Sequence, residues 1–182
     1  KAFITYRPVR DGEVIKKQER QQTTRILELP PQTLFVSDGI KKKYQKSSMT
    51  PVLLTDHMPE NEKKFIDFLE DHSKVLWWYK NGDKGTEHFA LPYTHNGKQS
   101  LFYPDWIIKT KSALWVIDTK SGMTAQDAET KAKAESLHQW LKSQESIEGG
   151  IVRPADGWFI YRGKKYAYEL ESGWEDLNKA LS

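Results

Sequence analysis

The chain has 182 residues and a net charge of +3, and 37% of its residues are hydrophobic, which suits a domain with a sizeable core. It contains no cysteine, so disulfides and thiolate metal sites are excluded. No apolar run approaches the roughly 20 residues of a membrane span, and we expect a cytoplasmic location. The mild basic excess permits binding to nucleic acid without establishing it.

Residues 1–50 differ from the rest and predict a β-rich lead-in that connects to an upstream domain. Ala2–Val9 and Thr23–Leu29 have the apolar patterns of strands. Lys41–Lys46 is a basic run, which we interpret as a solvated loop in preference to a phosphate contact. Because the chain begins with Lys1 and not Met, we expect it to be part of a longer protein.

Residues 51–182 are the second predicted domain, in which helices and strands alternate. Pro59–His72 has the apolar spacing of a helix with acids in its first turn, and Ala125–Lys142 predicts a second helix. Ser172 and Glu175 have the spacing of a capping box for a short C-terminal helix. This order predicts an α/β domain on a mixed sheet. The predicted strands are Lys74–Lys80, Glu87–Tyr93, Ser100–Ile108, Ala113–Asp118, Gly157–Gly163 and Lys165–Leu170, with a hairpin turn at Asn96-Gly97.

The spacing of two neighbouring strands predicts that two carboxylates and an ammonium group lie close together. A two-residue turn at Lys111-Ser112 would place Asp105 opposite Asp118, or diagonal to it if the register slips by one residue. Lys120 shares the face of Asp118 if that strand continues. Two such carboxylates repel each other unless a cation lies between them. Oxygen ligands favour Mg²⁺, Mn²⁺ or Ca²⁺.

This combination suits the hydrolysis of a phosphodiester, because Lys120 can orient the attacking water while a metal offsets charge on the phosphate. The alternative for Asp105, Asp118 and Lys120 is a set of ordinary salt-bridged strand ends. We favour a site because three charges converge from two mostly apolar strands. Glu62 extends the apolar stripe of the first helix by one turn. Its spacing leaves two interpretations equally open, a fourth site residue or an acid that stabilises the helix dipole.

These residues resemble a known motif. Pro104-Asp105, followed by Asp118-Thr119-Lys120 at the end of an apolar strand, resembles the PD-(D/E)XK nuclease superfamily. The order of helix, three strands, motif, helix and strand matches the αβββαβ core of that superfamily, so the resemblance implies a restriction-endonuclease-like fold. More narrowly, the chain from Pro59 to Tyr161 resembles the C-terminal endonuclease domain of type III restriction enzyme Res subunits and related helicase–nuclease proteins. The stretches that carry this resemblance are ENEKKFIDFLEDHSKVLWWYKNG, FALPY, YPDWII and WVIDTKSG.

The resemblance implies a Mg²⁺-dependent deoxyribonuclease, with Mn²⁺ as a substitute, that cuts double-stranded DNA. It implies that Lys120 positions the attacking water and that Lys131 and Lys133 face phosphates, although a solvated helix face is the commoner role for such lysines. It also implies an upstream helicase or ATPase domain and a methylation or specificity subunit as partners, and no membrane. The metal ligands that it implies are Glu62, Asp105, Asp118 and the carbonyl of Thr119.

Two other classes of function remain open. A non-catalytic DNA-binding or docking module could retain the nuclease fold, although the intact Asp105, Asp118 and Lys120 argue against it. A glycosidase could use Asp105 and Asp118 as an acid pair, but Lys120 would then have no role. The 182 residues contain no Walker A pattern, so we expect any motor to lie on another segment or subunit.

Overall fold

The computed structural model describes residues 40–42, 44–49, 52–54, 58–83, 88–120, 127–156, 158–163 and 173–182. The strands predicted at Ala2–Val9, Thr23–Leu29 and Lys165–Leu170 lie outside the described residues, as does most of the lead-in. Of the described part of that lead-in, Ile40–Lys42 (β1) pairs with Val52–Leu54 (β2) as an antiparallel ribbon.

The remaining elements follow the predicted alternation of helices and strands. The predicted helix at Pro59–His72 is confirmed, and so is the turn at Asn96-Gly97, where φ is 49° and 72°. The helices are α1 (Glu60–Asp71), α2 (Ala128–Lys142) and α3 (Leu177–Ala180), and the strands are β3 (Val75–Lys80), β4 (Leu91–His95), β5 (Lys98–Phe102), β6 (Trp106–Thr110), β7 (Leu114–Thr119), β8 (Ile147–Ala155), β9 (Trp158–Gly163) and β10 (Glu175–Asp176).

A mixed six-stranded sheet organises the domain, in the order β10-β9-β8-β7-β6-β3. Only β7 and β8 run parallel within this sheet, so the predicted α/β class with a mixed sheet is confirmed. The aromatic ring of Phe65 on α1 packs against Trp106 and Phe159, with ring centroids 5.3 and 4.9 Å apart. Helix α1 therefore covers one face of the sheet. No helix in the described ranges is long and apolar enough to cross a membrane.

The other face of the sheet is covered by α2 and by the β4–β5 hairpin. The hydroxyl of Ser136 on α2 donates a hydrogen bond to the carbonyl of Pro92 in the hairpin, at 2.8 Å. The ring centroid of Trp140 on the same helix lies 5.0 Å from the ring centroid of Phe89. The β6–β7 ends that carry the predicted site residues therefore lie in a sheet that is packed on both faces.

The prediction for the end of the chain is wrong in one respect, because it omitted the strand β8. β9, which corresponds to the predicted strand Gly157–Gly163, pairs with β8. Gly149, Gly150 and Pro154 concealed β8, since glycine and proline normally argue against a central strand. A Cβ on Gly149 would lie 1.9 Å from the carbonyl oxygen of Val116, so this glycine is what allows β8 to lie beside β7.

Two further boundaries differ from the predictions. The predicted strand Ser100–Ile108 is interrupted at residues 103–105, which separates β5 from β6. The predicted capping box is wrong, because Glu175 belongs to β10 and the carboxylate of Asp176 caps α3 by accepting a hydrogen bond from the Asn178 amide at 2.9 Å. The start of α2 predicted at Ala125 lies outside the described residues.

Candidate functional site

The turn between β5 and β6 places Asp105 at the end of the sheet. Asn81, which directly follows β3, fixes this turn from the neighbouring strand. Its side-chain nitrogen donates hydrogen bonds to the carbonyls of Phe89 (2.7 Å) and Pro104 (2.9 Å), and its backbone amide donates to the carbonyl of Asp105 at 2.7 Å. Asn81 is only 5% exposed, so these bonds are shielded from water and hold the Pro104-Asp105 backbone in place.

The carboxylate of Asp105 is bonded on both oxygens. Its Oδ2 accepts hydrogen bonds from the amide (2.8 Å) and hydroxyl (2.6 Å) of Thr119, while its Oδ1 accepts one from Lys80 Nζ at 3.0 Å. Burial by itself would raise the pKa of Asp105. The ammonium groups of Lys80 and Lys120 and the two bonds from Thr119 outweigh burial and hold the pKa below its usual value. Asp105 is therefore ionised at neutral pH.

Asp118 lies near the end of β7 and is 1% exposed. Its Oδ2 is 2.6 Å from Lys120 Nζ. Burial, followed by repulsion from Asp105, raises the pKa of Asp118 to about 7, although Lys120 opposes this shift. The two carboxyl groups of the site thus differ, because Asp105 is ionised at neutral pH whereas the pKa of Asp118 lies near neutrality.

The register that the sequence predicted for β6 and β7 is confirmed. Trp106 pairs with Ile117, and one further step along the same register places Asp105 opposite Asp118. The amide of Lys120 donates a hydrogen bond to the carbonyl of Val152 at 2.8 Å. The β7–β8 pairing therefore continues to Lys120, which supports the prediction that Asp118 and Lys120 share a face.

Strand alternation divides the site between the two faces of the sheet. Trp106 contacts α1, and its indole nitrogen donates a hydrogen bond to the hydroxyl of Thr119 at 3.3 Å. Thr119 therefore points to the α1 side and Asp118 to the α2 side. In agreement, Ile151, which pairs with Asp118, lines a small cavity with residues of α2. Asp105, in the turn at the sheet's end, lies between the two sides.

Glu62 lies at the site, but it contacts Lys80 and not another carboxylate. Lys80 Nζ is 2.9 Å from Glu62 Oε2 and 3.0 Å from Asp105 Oδ1. Lys80 is a site residue that the sequence did not predict. The available signal was its position at the end of a buried strand, but only the pairing of Lys80 with Trp106 across β3 and β6 brings it to Asp105.

Charge at the site is nearly balanced by the protein itself. Burial lowers the pKa of Lys80, but Asp105 and Glu62 outweigh that effect and raise it, so Lys80 is charged. With Asp118 ionised, the three carboxylates of Glu62, Asp105 and Asp118 face two ammonium groups and leave one net negative charge. Within the described ranges, no three His, Cys, Asp or Glu side chains are grouped so that they could hold a metal ion. The predicted acids are therefore adjacent but interleaved with lysines.

The two lysines predicted to face DNA have different surroundings. Lys131 on α2 is exposed, whereas Lys133 Nζ lies 2.8 Å from Glu129 Oε1 and 5.3 Å from the ring centroid of Tyr93. Residues two apart on a helix point in nearly opposite directions. The pair therefore cannot line one continuous phosphate track.

We expect Lys131 to make the larger contribution to DNA binding. Binding of the domain to duplex DNA should weaken steeply between about 50 and about 200 mM salt, because each neutralised phosphate releases counterion. The Lys131→Ala variant should lower the slope of log K against log salt by about one, and Lys133→Ala should lower it less. Fluorescence anisotropy with two unrelated duplexes measures both slopes, with Lys74→Ala on the turn before β3 as the control. Salt-independent binding, or strong preference for one duplex, would contradict the expectation.

Lys46, which belongs to the predicted basic run Lys41–Lys46, has a structural role. Lys46 Nζ donates hydrogen bonds to the carbonyls of His72 (2.8 Å) and Leu69 (3.3 Å) at the end of α1. A cation at a helix C-terminus stabilises the helix, so we do not count Lys46 among the candidate phosphate contacts.

No family model matches the chain, and comparisons with curated proteins and with solved structures return no match. The functional interpretation therefore depends on the geometry and chemistry of Asp105, Asp118 and Lys120 and on the sequence resemblance described above.

Proposed function

We propose that the chain is a metal-dependent DNA endonuclease domain with a restriction-endonuclease-like core. It would hydrolyse phosphodiester bonds in double-stranded DNA as the cleavage module of a larger restriction-type protein, joined to a helicase or translocase and working with a methylation or specificity subunit. The observation that carries this proposal is the position of Asp105 beside Asp118, with Lys120 forming an ion pair with Asp118, at one end of β6 and β7.

The chemistry of the donor set supports a divalent cation, although in this structure the described acids are interleaved with lysines and are not grouped as a metal site. Asp118 is buried and its pKa is raised to about 7, and once Asp118 is ionised the cluster has one negative charge more than its lysines neutralise. An oxygen-only donor set with excess negative charge suits Mg²⁺ or Mn²⁺. The residues that would hold the ion are Asp105 and Asp118, with Glu62 and the carbonyl of Thr119 completing the set. When bound, the cation supplies positive charge opposite the phosphate oxygens, where charge develops during hydrolysis.

The other residues of the site position these groups. Lys120 is within hydrogen-bond distance of Asp118 and can also donate to a water or to a phosphate oxygen, which orients the attacking water and offsets negative charge. Thr119 keeps Asp105 ionised through two hydrogen bonds. Asn81 holds the backbone that carries Asp105. Each of these roles is performed by a group that the folded chain already fixes in place.

Calorimetry with Mn²⁺ tests the proposal directly. The wild-type chain should bind Mn²⁺ weakly at pH 8, where Asp118 is ionised, because two or three carboxylates share the ion with water. The Asp118→Ala variant should lose this binding. Asp67→Ala is the matched control, since Asp67 is an exposed acid on α1, and it should bind as wild type does. Wild-type binding that survives in Asp118→Ala would show that the site is assigned wrongly.

A non-catalytic DNA-binding module is the second candidate, and one observation favours it. Lys80 lies within hydrogen-bond distance of Glu62 and Asp105, and Lys120 lies within that distance of Asp118. The cluster could therefore be a stable structural network. The two candidates differ in metal dependence. An endonuclease domain needs Mg²⁺ or Mn²⁺ to cut DNA in the full-length assembly, whereas a docking module binds DNA equally well after chelation with EDTA and cuts none.

A further inference from the structure

We infer that Lys80 is a built-in counterion of the metal site and that a divalent cation must displace its ammonium group from Glu62 and Asp105 in order to bind there. The inference rests on the proposed function and adds a form of regulation to the same site. It predicts that the wild-type protein binds metal less tightly than its carboxylates alone would allow.

The ammonium group of Lys80 lies where an ion shared by Glu62 and Asp105 would bind. Lys80 Nζ lies 2.9 Å from an oxygen of Glu62 on α1 and 3.0 Å from an oxygen of Asp105 in the β5–β6 turn. These two carboxylates come from different elements. A metal ion bound between them would contact the same two oxygens that Lys80 contacts. Lys120 Nζ lies 2.6 Å from Asp118 Oδ2.

The two oxygens of Asp105 differ in how available they are to a cation. The Oδ2 atom of Asp105 already accepts two hydrogen bonds from Thr119, and a carboxylate oxygen has two lone pairs in its plane. The Oδ1 atom is therefore the better ligand for an ion, and Lys80 is bonded to it. A metal that used both Glu62 and this oxygen would compete with the ammonium group for them.

Burial and an aromatic ring hold Lys80 in place beside Glu62 and Asp105. The side chains of Lys80, Glu62 and Asp105 are only 21%, 16% and 20% exposed. The Lys80 ammonium also lies 4.8 Å from the centroid of the Trp106 ring, a distance at which a cation is attracted to an aromatic face. A lysine placed in this way keeps the two carboxylates in position without metal, and its displacement opposes metal binding.

The test is the Mn²⁺ affinity of the Lys80→Met variant, measured by calorimetry at pH 8. Methionine keeps an apolar stem against Trp106 but removes the charge. We expect Mn²⁺ to bind about tenfold more tightly than to wild type, because two carboxylates lose their competing cation. Lys63→Met is the control, since Lys63 is an exposed residue of α1 that pairs with the exposed Glu60 at 3.6 Å, and the affinity of this variant for Mn²⁺ should be unchanged. Equal or weaker binding by Lys80→Met would overturn the inference.

A second comparison covers the case in which Lys80→Met does not fold, because Glu62 and Asp105 would then repel each other. The double variant Glu62→Gln/Lys80→Met removes that repulsion. It should bind Mn²⁺ more tightly than Glu62→Gln alone, since Asp105 Oδ1 is still released, and equal affinities would contradict displacement. Asp118→Asn added to either variant should abolish binding. If no variant binds Mn²⁺, both the inference and the proposed function are wrong. If wild type binds but loss of Lys80 has no effect, only the inference fails.

Discussion

Replacement of Lys120 by methionine should reduce DNA cleavage by at least about 100-fold, the usual effect of removing a group that stabilises charge in a transition state. Lys120 is the only site lysine that shares a face with Asp118 and lies within hydrogen-bond distance of it. The measurement is Mg²⁺-dependent cleavage of duplex DNA by the full-length protein. Unimpaired cleavage by Lys120→Met would remove Lys120 from the mechanism.

Stability measurements on the same variant separate chemistry from folding. Without Lys120 the pKa of Asp118 should rise further, so at pH 6 the carboxyl group is neutral and the thermal midpoint should be close to that of wild type. At pH 8.5 the buried carboxylate would lack its partner, and the midpoint should fall by several degrees. Lys120→Arg, which keeps the charge, should retain stability at both values of pH. A large loss of stability at pH 6 would indicate that Lys120 is mainly structural.

The pairing of Asp105 with Asp118 could be predicted from the sequence because it depends on local features. Two apolar strands joined by a short turn have a register that the turn fixes, and the confirmed pairing of Trp106 with Ile117 follows from it. The placement of the two carboxyl groups at one end of the sheet needed no knowledge of distant segments.

The roles of Lys80 and Asn81 could not be predicted in the same way. Both depend on β3 lying beside β6, which brings together Lys80 and Asp105, groups 25 residues apart in the chain. In the sequence Asn81 only follows the predicted strand Lys74–Lys80. Its buried bonds to Phe89 and Pro104 depend on the path of two loops, for which hydrophobic periodicity carries no information.

The protonation of Asp118 also depends on long-range packing. Sequence spacing indicated that two carboxylates would repel each other, but not which of them would keep a proton. Thr119 and Lys80 donate hydrogen bonds to Asp105, which keep it ionised. Asp118 is the more deeply buried of the two and bears the raised pKa. The asymmetry comes from the deeper burial of Asp118 and from the hydrogen bonds that Lys80 on β3 and Thr119 on β7 donate to Asp105.

The substitution Asp118→Asn should remove a loss of stability that the wild-type domain undergoes as the pH rises, and it should abolish metal binding. In the folded protein the pKa of Asp118 is about 7, against an ordinary value of 3.8. Between these two values the folded chain retains a proton that the unfolded chain has released. Its contribution to the free energy of unfolding therefore falls as the pH rises from about 4 to about 7 and stays low above that.

Asparagine cannot ionise, so the variant should lack this loss of stability. The free energy of unfolding of Asp118→Asn, minus that of wild type, should increase by on the order of 2–4 kcal/mol between pH 4 and pH 8. Urea denaturation at several pH values without divalent cations measures this difference, and Asp67→Asn, which changes an exposed acid, is the control. A difference for Asp118→Asn that is flat with pH, or that decreases, would mean that Asp118 is ionised throughout this range. The protein's excess negative charge would then be permanent, and protons would not compete with a divalent cation for the site.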